Sequence, residues 1–184
     1  MSLTLQEVND LLLRRGKNQY GLEAINQLEH ALQCANLAEQ AGETSETIVA
    51  CLLHDLGHLL AAEREGTVEH DTTEDDLHQF IALPFLRGLF PDAVLEPIRM
   101  HVDAKRYLCL IDPGYWRDLS IASKHSLEQQ GGVFDEKQAH TFIAQPFAEE
   151  AVRLRRYDDL AKVKDKPVPG LEHYQARLAE VAHQ

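Results

Sequence analysis

From Ile48 to Leu60 the chain is apolar on almost every side, yet His54, Asp55 and His58 lie inside that run. Such a stretch does not suit a surface helix. Its spacing predicts a central helix over about 45–62, with other helices packed around it. Burying a carboxylate and imidazoles among leucines is costly unless something compensates them. A metal ion does this well, because it keeps the carboxylate ionised and takes the imidazole lone pair. The structural alternative is an Asp that caps a neighbouring helix beside a hydrogen-bonded core His. The pair alone does not choose between the two.

The periodicity is helical almost throughout. Thr4 and Glu7 stand in capping-box spacing at the head of 4–15, which carries Leu5, Val8, Leu11 and Leu12 on one side and stops at Gly16. A second helix covers 24–41, with Ile25, Leu28, Ala31, Leu32, Ala35 and Ala38 inward and Gly42 as its stop. A fourth covers about 73–90, where Pro84 should kink or divide it. Asp92 opens a fifth region to Lys105, interrupted near Pro97, and another helix covers about 115–128 before Gly131-Gly132. Asp135 caps a short helix to Gln145, and Pro146 begins a long one to about 163. After the loop 164–170 comes a last amphipathic helix. No alternating strand pattern or internal repeat is visible, so the expectation is one all-α domain over 1–184.

Composition narrows the partners. Eighteen basic against 30 acidic residues give a formal charge of -12, which argues against nucleic acid or an anionic membrane as the main partner. A small anionic substrate remains compatible with this balance, since a pocket can concentrate positive charge locally. Cys34, Cys51 and Cys109 make no plausible disulfide set, and the first two sit in apolar helical patterns as small hydrophobes. With few cysteines, no signal-like start and no membrane-spanning run, a soluble cytoplasmic protein is expected.

His54 and His58 are four residues apart on the predicted central helix and would share a face, with Gly57 allowing a neighbouring backbone to approach. His30 precedes them on the second helix, His78 falls on the fourth, His101 on the fifth and Asp158 on the long late helix. Imidazole and carboxylate ligands without thiolates suit Fe, Mn, Co or Zn and argue against a structural cysteine–zinc site. His70, in an acidic loop, is a weaker candidate than His78. His125, His140, His173 and His183 read as surface or packing residues.

The order His30, His54-Asp55, His78, His101, Asp158 resembles the HD-domain superfamily of metal-dependent helical enzymes. The surroundings are similar to one subgroup, the mixed-valent di-iron oxygenases that cleave the carbon–phosphorus bond of 2-amino-1-hydroxyethylphosphonate and are related to myo-inositol oxygenase. The HD pair itself is shared with many phosphohydrolases. More specific are Tyr20 and Glu23 upstream of His30, the run His101–Leu108, and the stretch from Ser123 through Gln129-Gln130-Gly131-Gly132. The resemblance extends from Gln19 to Asp158 and implies an HD-type helical bundle.

It further implies two irons, Fe(II)/Fe(III), with O2 as co-substrate. One iron would be held by His30, His54, Asp55 and Asp158, and the other by Asp55, His78 and His101, with Asp55 bridging. His58, Lys105, Ser123 and Arg155 would surround the phosphonate, and Glu23 would meet the substrate's ammonium. Tyr20 would lie close to the metals and occupy a coordination site until substrate arrives. The resemblance thus makes Asp55, His58, Tyr20 and Glu23 the candidate catalytic residues. Taken singly, each has a plainer reading. Lys105 and Arg106 near a helix end also suit the macrodipole. Arg153, Arg155 and Arg156 also suit a solvated face, with Arg155 one turn before Asp158. Glu23 alone reads as a surface acid, and Tyr20 as a packing residue with its hydroxyl at the rim. An HD phosphohydrolase acting on a small phosphate ester or nucleotide is the competing activity, and the oligomeric state is open.

Overall fold

The computed structural model describes residues 2–20, 23–65 and 77–183. It contains twelve helices among the described residues and no strand beyond an isolated bridge between Gln19 and Asn26. In order they are α1 Leu5–Arg15, α2 Gln27–Gln40, α3 Ser45–Leu53, α4 Leu56–Glu65, α5 His78–Ile81, α6 Leu83–Leu86, α7 Asp92–Ile111, α8 Tyr115–Asp118, α9 Ile121–Gln129, α10 Glu136–Ile143, α11 Ala148–Leu160 and α12 Leu171–Val181. Helices α2, α3, α7 and α11 pack on one another at the centre, with α12 against α3, α1 against α4, and α5 between α4 and α7. No helix is long and apolar enough to cross a membrane among the described residues.

Local signals explain the helix starts. Thr4 and Glu7 form the expected capping box, as do Asp135 and Gln138 at α10. Helix α2 begins three residues later than expected, because Asn26 and Glu29 form a third capping box and leave Ile25 buried but outside the helix. The helix expected over 115–128 is two, since Ser120 caps α9 through the Ser123 amide and Leu119 is extended. Pro146 does not start the late helix; Phe147, in left-handed backbone at φ 64°, precedes α11. Pro84 divides the fourth region by sitting in the first turn of α6, where a missing N–H costs little. Pro97 does not interrupt the fifth region. Helix α7 runs through it for 20 residues, held by the buried Val94, Leu95, Ile98 and Met100 around the missing rung. Residues 73–76 of the expected fourth helix, and His70, lie outside the described residues.

The largest departure falls at the HD pair. The expected single helix over 45–62 is two, α3 and α4, with the ladder broken at His54-Asp55. The His58 amide bonds back three residues to the Asp55 carbonyl, at 3.0 Å. His54 and His58 therefore do not share one helical face. His54 meets His30, and His58 stacks on His78 with ring centroids 4.0 Å apart.

Gly57 fixes that second contact. A Cβ there would lie 2.0 Å from the His78 carbonyl oxygen, a backbone atom that cannot rotate away. Gly57→Ala should push α5 off α4, destabilise the fold by about 1–3 kcal/mol and misplace His78. Thermal unfolding with metal analysis checks this, the expected outcome being a lower Tm together with less than the wild-type metal content.

Candidate metal centre

Six side chains from four helices and one helix break converge on one buried point. His30 comes from α2, His54 and Asp55 from the α3–α4 break, His78 from the first position of α5, His101 from α7 and Asp158 from α11. All six are buried. Three of the imidazoles are aimed by backbone carbonyls. The Nδ1 of His30 lies 2.8 Å from the Ala161 carbonyl, that of His54 2.8 Å from Cys51, and that of His101 2.7 Å from Ile98. Ala161 and Cys51 stand at helix ends, where carbonyls lack intrahelical partners. A carbonyl can only accept, so each Nδ1 carries the proton and each Nε2 presents a bare lone pair inward.

The inward ring nitrogens come together in pairs. His30 Nε2 is 3.2 Å from His54 Nε2, and His78 Nε2 is 3.0 Å from His101 Nε2. With a metal–nitrogen bond of about 2.1 Å, two ligands at right angles sit about 3.0 Å apart, so both spacings suit a shared cation. Asp55 lies between the pairs and turns one oxygen to each. Its Oδ2 is 3.3 Å from His54 Nε2 and 3.6 Å from His30 Nε2. Its Oδ1 is 3.3 Å from His78 Nε2 and 3.7 Å from His101 Nε2. Asp158 closes the first group, with Oδ1 3.3 Å from His30 Nε2. The buried Asp55 Oδ2 and Asp158 Oδ1 have no hydrogen-bond partner among the described residues. Two orphaned carboxylate oxygens facing bare imidazole nitrogens fit metal cations and little else.

The electrostatics agree. Burial works to raise the Asp55 pKa, but His54, His78 and His58 hold it well below the usual carboxylate range. Asp158 is likewise opposed by burial and held down by Arg155 and His30. Burial opposes a charge on His54, yet Asp55 and Asp158 push its pKa up to about 10. The cage demands positive charge and takes a proton where nothing better is offered. Burial, His78 and His54 keep His101 well below the ordinary histidine range. His58 offers a third nitrogen on the second side, its Nε2 3.9 Å from Asp55 Oδ1, so Asp55, His58 and His78 form a compact group just as His30, His54 and Asp55 do.

Around this centre lies a cationic shell. Arg155 Nη1 pairs with Asp158 Oδ2 at 2.8 Å, while its remaining nitrogens contact Asp159, the Tyr115 hydroxyl and Ser123 Oγ. Arg153 and Arg156 turn outward instead, to Glu43 and Asp112. Lys105, only 1% exposed, donates to Ser126 Oγ at 2.7 Å and makes no ion pair among the described residues. Burial and the neighbouring Arg155 bring its pKa down to about 7. Tyr20 lies flat on His30, ring centroids 3.9 Å apart, and burial with Asp158 and Asp55 keeps its phenol protonated. Glu23 accepts from Ser120 Oγ at 2.7 Å. Lys162, Ser120 and Ser126 were not among the sequence candidates. Lys162 follows α11 in a segment without periodicity, and no local signal marks it.

His125, His140, His173 and His183 are exposed, as expected, and the three cysteines are free thiols.

The description "HD domain" matches residues 28–123. The hydroxymethylphosphonate dioxygenase of Gimesia maris is 43% identical over 169 residues, which are 92% of this chain and 83% of that protein. The glycine-betaine-forming [1-hydroxy-2-(trimethylamino)ethyl]phosphonate dioxygenase of Leisingera caerulea is 38% identical over 161 residues, covering 88% of this chain and 81% of its own. An uncharacterized protein of Acanthamoeba polyphaga mimivirus is 33% identical over 98% of this chain and 84% of its own.

Proposed function

This chain belongs to the HD-domain family, and from that premise we propose that it is an O2-dependent oxygenase cleaving the C–P bond of a small 1-hydroxyphosphonate at a two-iron centre. The observation that carries this reading is Asp55, whose two oxygens each face a separate pair of imidazole nitrogens. A carboxylate so placed can bridge two metals about 3.5–4 Å apart. His30, His54 and Asp158 would complete one metal's ligands, and His78 and His101 the other's. Two irons would supply a Lewis-acid seat for the substrate's hydroxyl and phosphonate oxygens and the electrons that O2 needs.

The reaction balances on O2 alone. The hydroxyl-bearing carbon loses its hydrogen and its bond to phosphorus and becomes a carboxylate. The phosphorus group leaves as phosphate, and O2 takes up the four electrons. Lys105, Arg155 and Ser123 would orient the phosphonate, because Lys105 is a buried ammonium that lacks an anion. His58, with its side chain 20% exposed beside Asp55, stands on the open side and would bound the substrate there. Tyr20 would cover the first metal's side, its ring against His30 and its proton held by the nearby carboxylates. Two of the relatives named above act, by their names, on hydroxyphosphonates, one of which carries a trimethylamino group and one of which does not.

Metal exchange tests the proposal. The iron-loaded protein should release phosphate from a 1-hydroxyphosphonate in air and stop when O2 is removed, while manganese- or zinc-loaded protein should release none. Equal rates with manganese in the absence of O2, on ordinary phosphate esters, would instead mark a phosphohydrolase.

Lys105 gives a pH signature. Its pKa of about 7 in the free protein means that the ammonium is lost as pH rises through that value. Because kcat/KM reports the free enzyme, it should fall on the alkaline side of about pH 7. Lys105→Arg, always charged, should move that limb up, and Lys105→Ala should lower kcat/KM by roughly 10–100-fold through loss of a charge-assisted contact. Steady-state rates across pH check both.

A further inference from the structure

The three carbonyl-aimed imidazoles are not aimed in the same way. Cys51 lies three residues before His54 and Ile98 three before His101, so each carbonyl is held by the helix that carries its histidine. The carbonyl that meets His30 comes from Ala161, 131 residues away, where the chain has left α11 without entering another helix or strand. Beyond Ala161 the segment turns outward, Val163 being 50% exposed. What holds it is Gln33, buried on α2 one turn after His30 and on the same face. Gln33 Nε2 donates to the Val163 carbonyl at 2.8 Å, and its Oε1 accepts from the Val163 amide at 3.1 Å. Only one orientation of the side-chain amide satisfies both partners. One face of α2 thus grips the segment twice, at Ala161 through His30 and at Val163 through Gln33.

We infer, resting on the two-metal reading above, that Gln33 is a positioning residue for the first metal. By holding the segment at Val163 it fixes the Ala161 carbonyl, and that carbonyl keeps the proton on His30 Nδ1 and the Nε2 lone pair on the metal side. Gln33 acts through Val163 and is not itself a ligand. An imidazole released from its carbonyl divides between two tautomers and several ring orientations, few of which present Nε2 to the metal. The effect is one-sided. His78 and His101 come from α5 and α7, and His101 is aimed from within its own helix, so the second metal's ligands do not depend on the clamp.

The test dialyses the Fe(II)-loaded full chain anaerobically against graded chelator and reads retained iron by elemental analysis. Gln33→Met removes both hydrogen bonds at similar volume. It should weaken one site by about tenfold and leave the other within about twofold, since partners that orient a metal-binding histidine are worth roughly 10–100-fold. Gln33→Glu keeps the acceptor for the Val163 amide and loses the donor, so it should act in the same direction and serves if the methionine variant does not fold. Two backgrounds assign the site. In His101→Ala protein, where the second group is broken, the cost of the Gln33 change should persist in full. In His30→Ala protein it should vanish, because the imidazole on which the clamp acts is gone. An equal cost in both backgrounds would make Gln33 a general support of the fold and overturns the inference. Variants that retain both irons as the wild type does overturn it too, even if KM for hydroxymethylphosphonate rises, which would move the clamp to the substrate side. A wild type that holds one Fe(II) defeats the two-metal reading alone, and the His30→Ala comparison still decides the role of Gln33. A wild type that holds none overturns the two together.

Discussion

Asp55→Ala protein is expected to hold fewer than two metals per chain and to lose more than about 10²-fold in activity. Even partners that merely orient a metal ligand cost roughly 10–100-fold when removed, and Asp55 stands one step closer. Its Oδ1 and Oδ2 face different imidazole pairs, so one substitution strips an oxygen from both groups at once. The buried Asp55 Oδ2 has no hydrogen-bond partner among the described residues, as suits an oxygen that a metal would take. Loss of activity with two metals retained would therefore contradict the bridging role. Asp55→Asn refines the result, because it keeps one carbonyl oxygen and converts the other into an NH2 group. Retention of a single metal, counted by elemental analysis, is the expected outcome.

The candidate ligand residues were legible in the sequence as a cluster because each is a polar group at a position that helical periodicity assigns to the core. His30, His54, Asp55, His101 and Asp158 all violate an otherwise apolar pattern, and the structure brings them within a few ångströms of one another. The capping boxes at Thr4 and Asp135 were equally readable. The break at His54-Asp55 was not. Apolar residues continue at helical spacing on both sides of it, and Gly57, two residues on, reads as a site of close backbone approach rather than as a stop. Pro97 misled in the opposite sense, since the packing of Ile98 and Met100 outweighs one lost rung. The boundary at Ser120 was readable in principle, as a capping serine inside an assumed helix.

The substrate side was harder to read than the metal side. Lys105 sits one turn beyond His101, and Arg155 one turn before Asp158, so both inherit their direction from a candidate ligand on the same helix. Lys162 inherits nothing of the kind. Its contacts with Glu23 and Ser123 join segments far apart in sequence, through a stretch that follows α11 without periodicity. The meeting of Lys162 with Glu23 is visible only in three dimensions.

The source of the oxygen atoms in the products tests the central claim most directly. Both the carboxylate and the phosphate gain one oxygen when a 1-hydroxyphosphonate is cleaved oxidatively. With iron-loaded protein and 18O2 in ordinary water, a dioxygenase at this centre should consume one O2 per phosphate released and place label in both products, read by mass spectrometry. The reason is chemical: a C–P bond offers no good leaving group to a metal-bound hydroxide, so the carbon has to be oxidised for the bond to break. Phosphate released without O2, carrying oxygen from water alone, would contradict the account and make the same cluster a hydrolytic one.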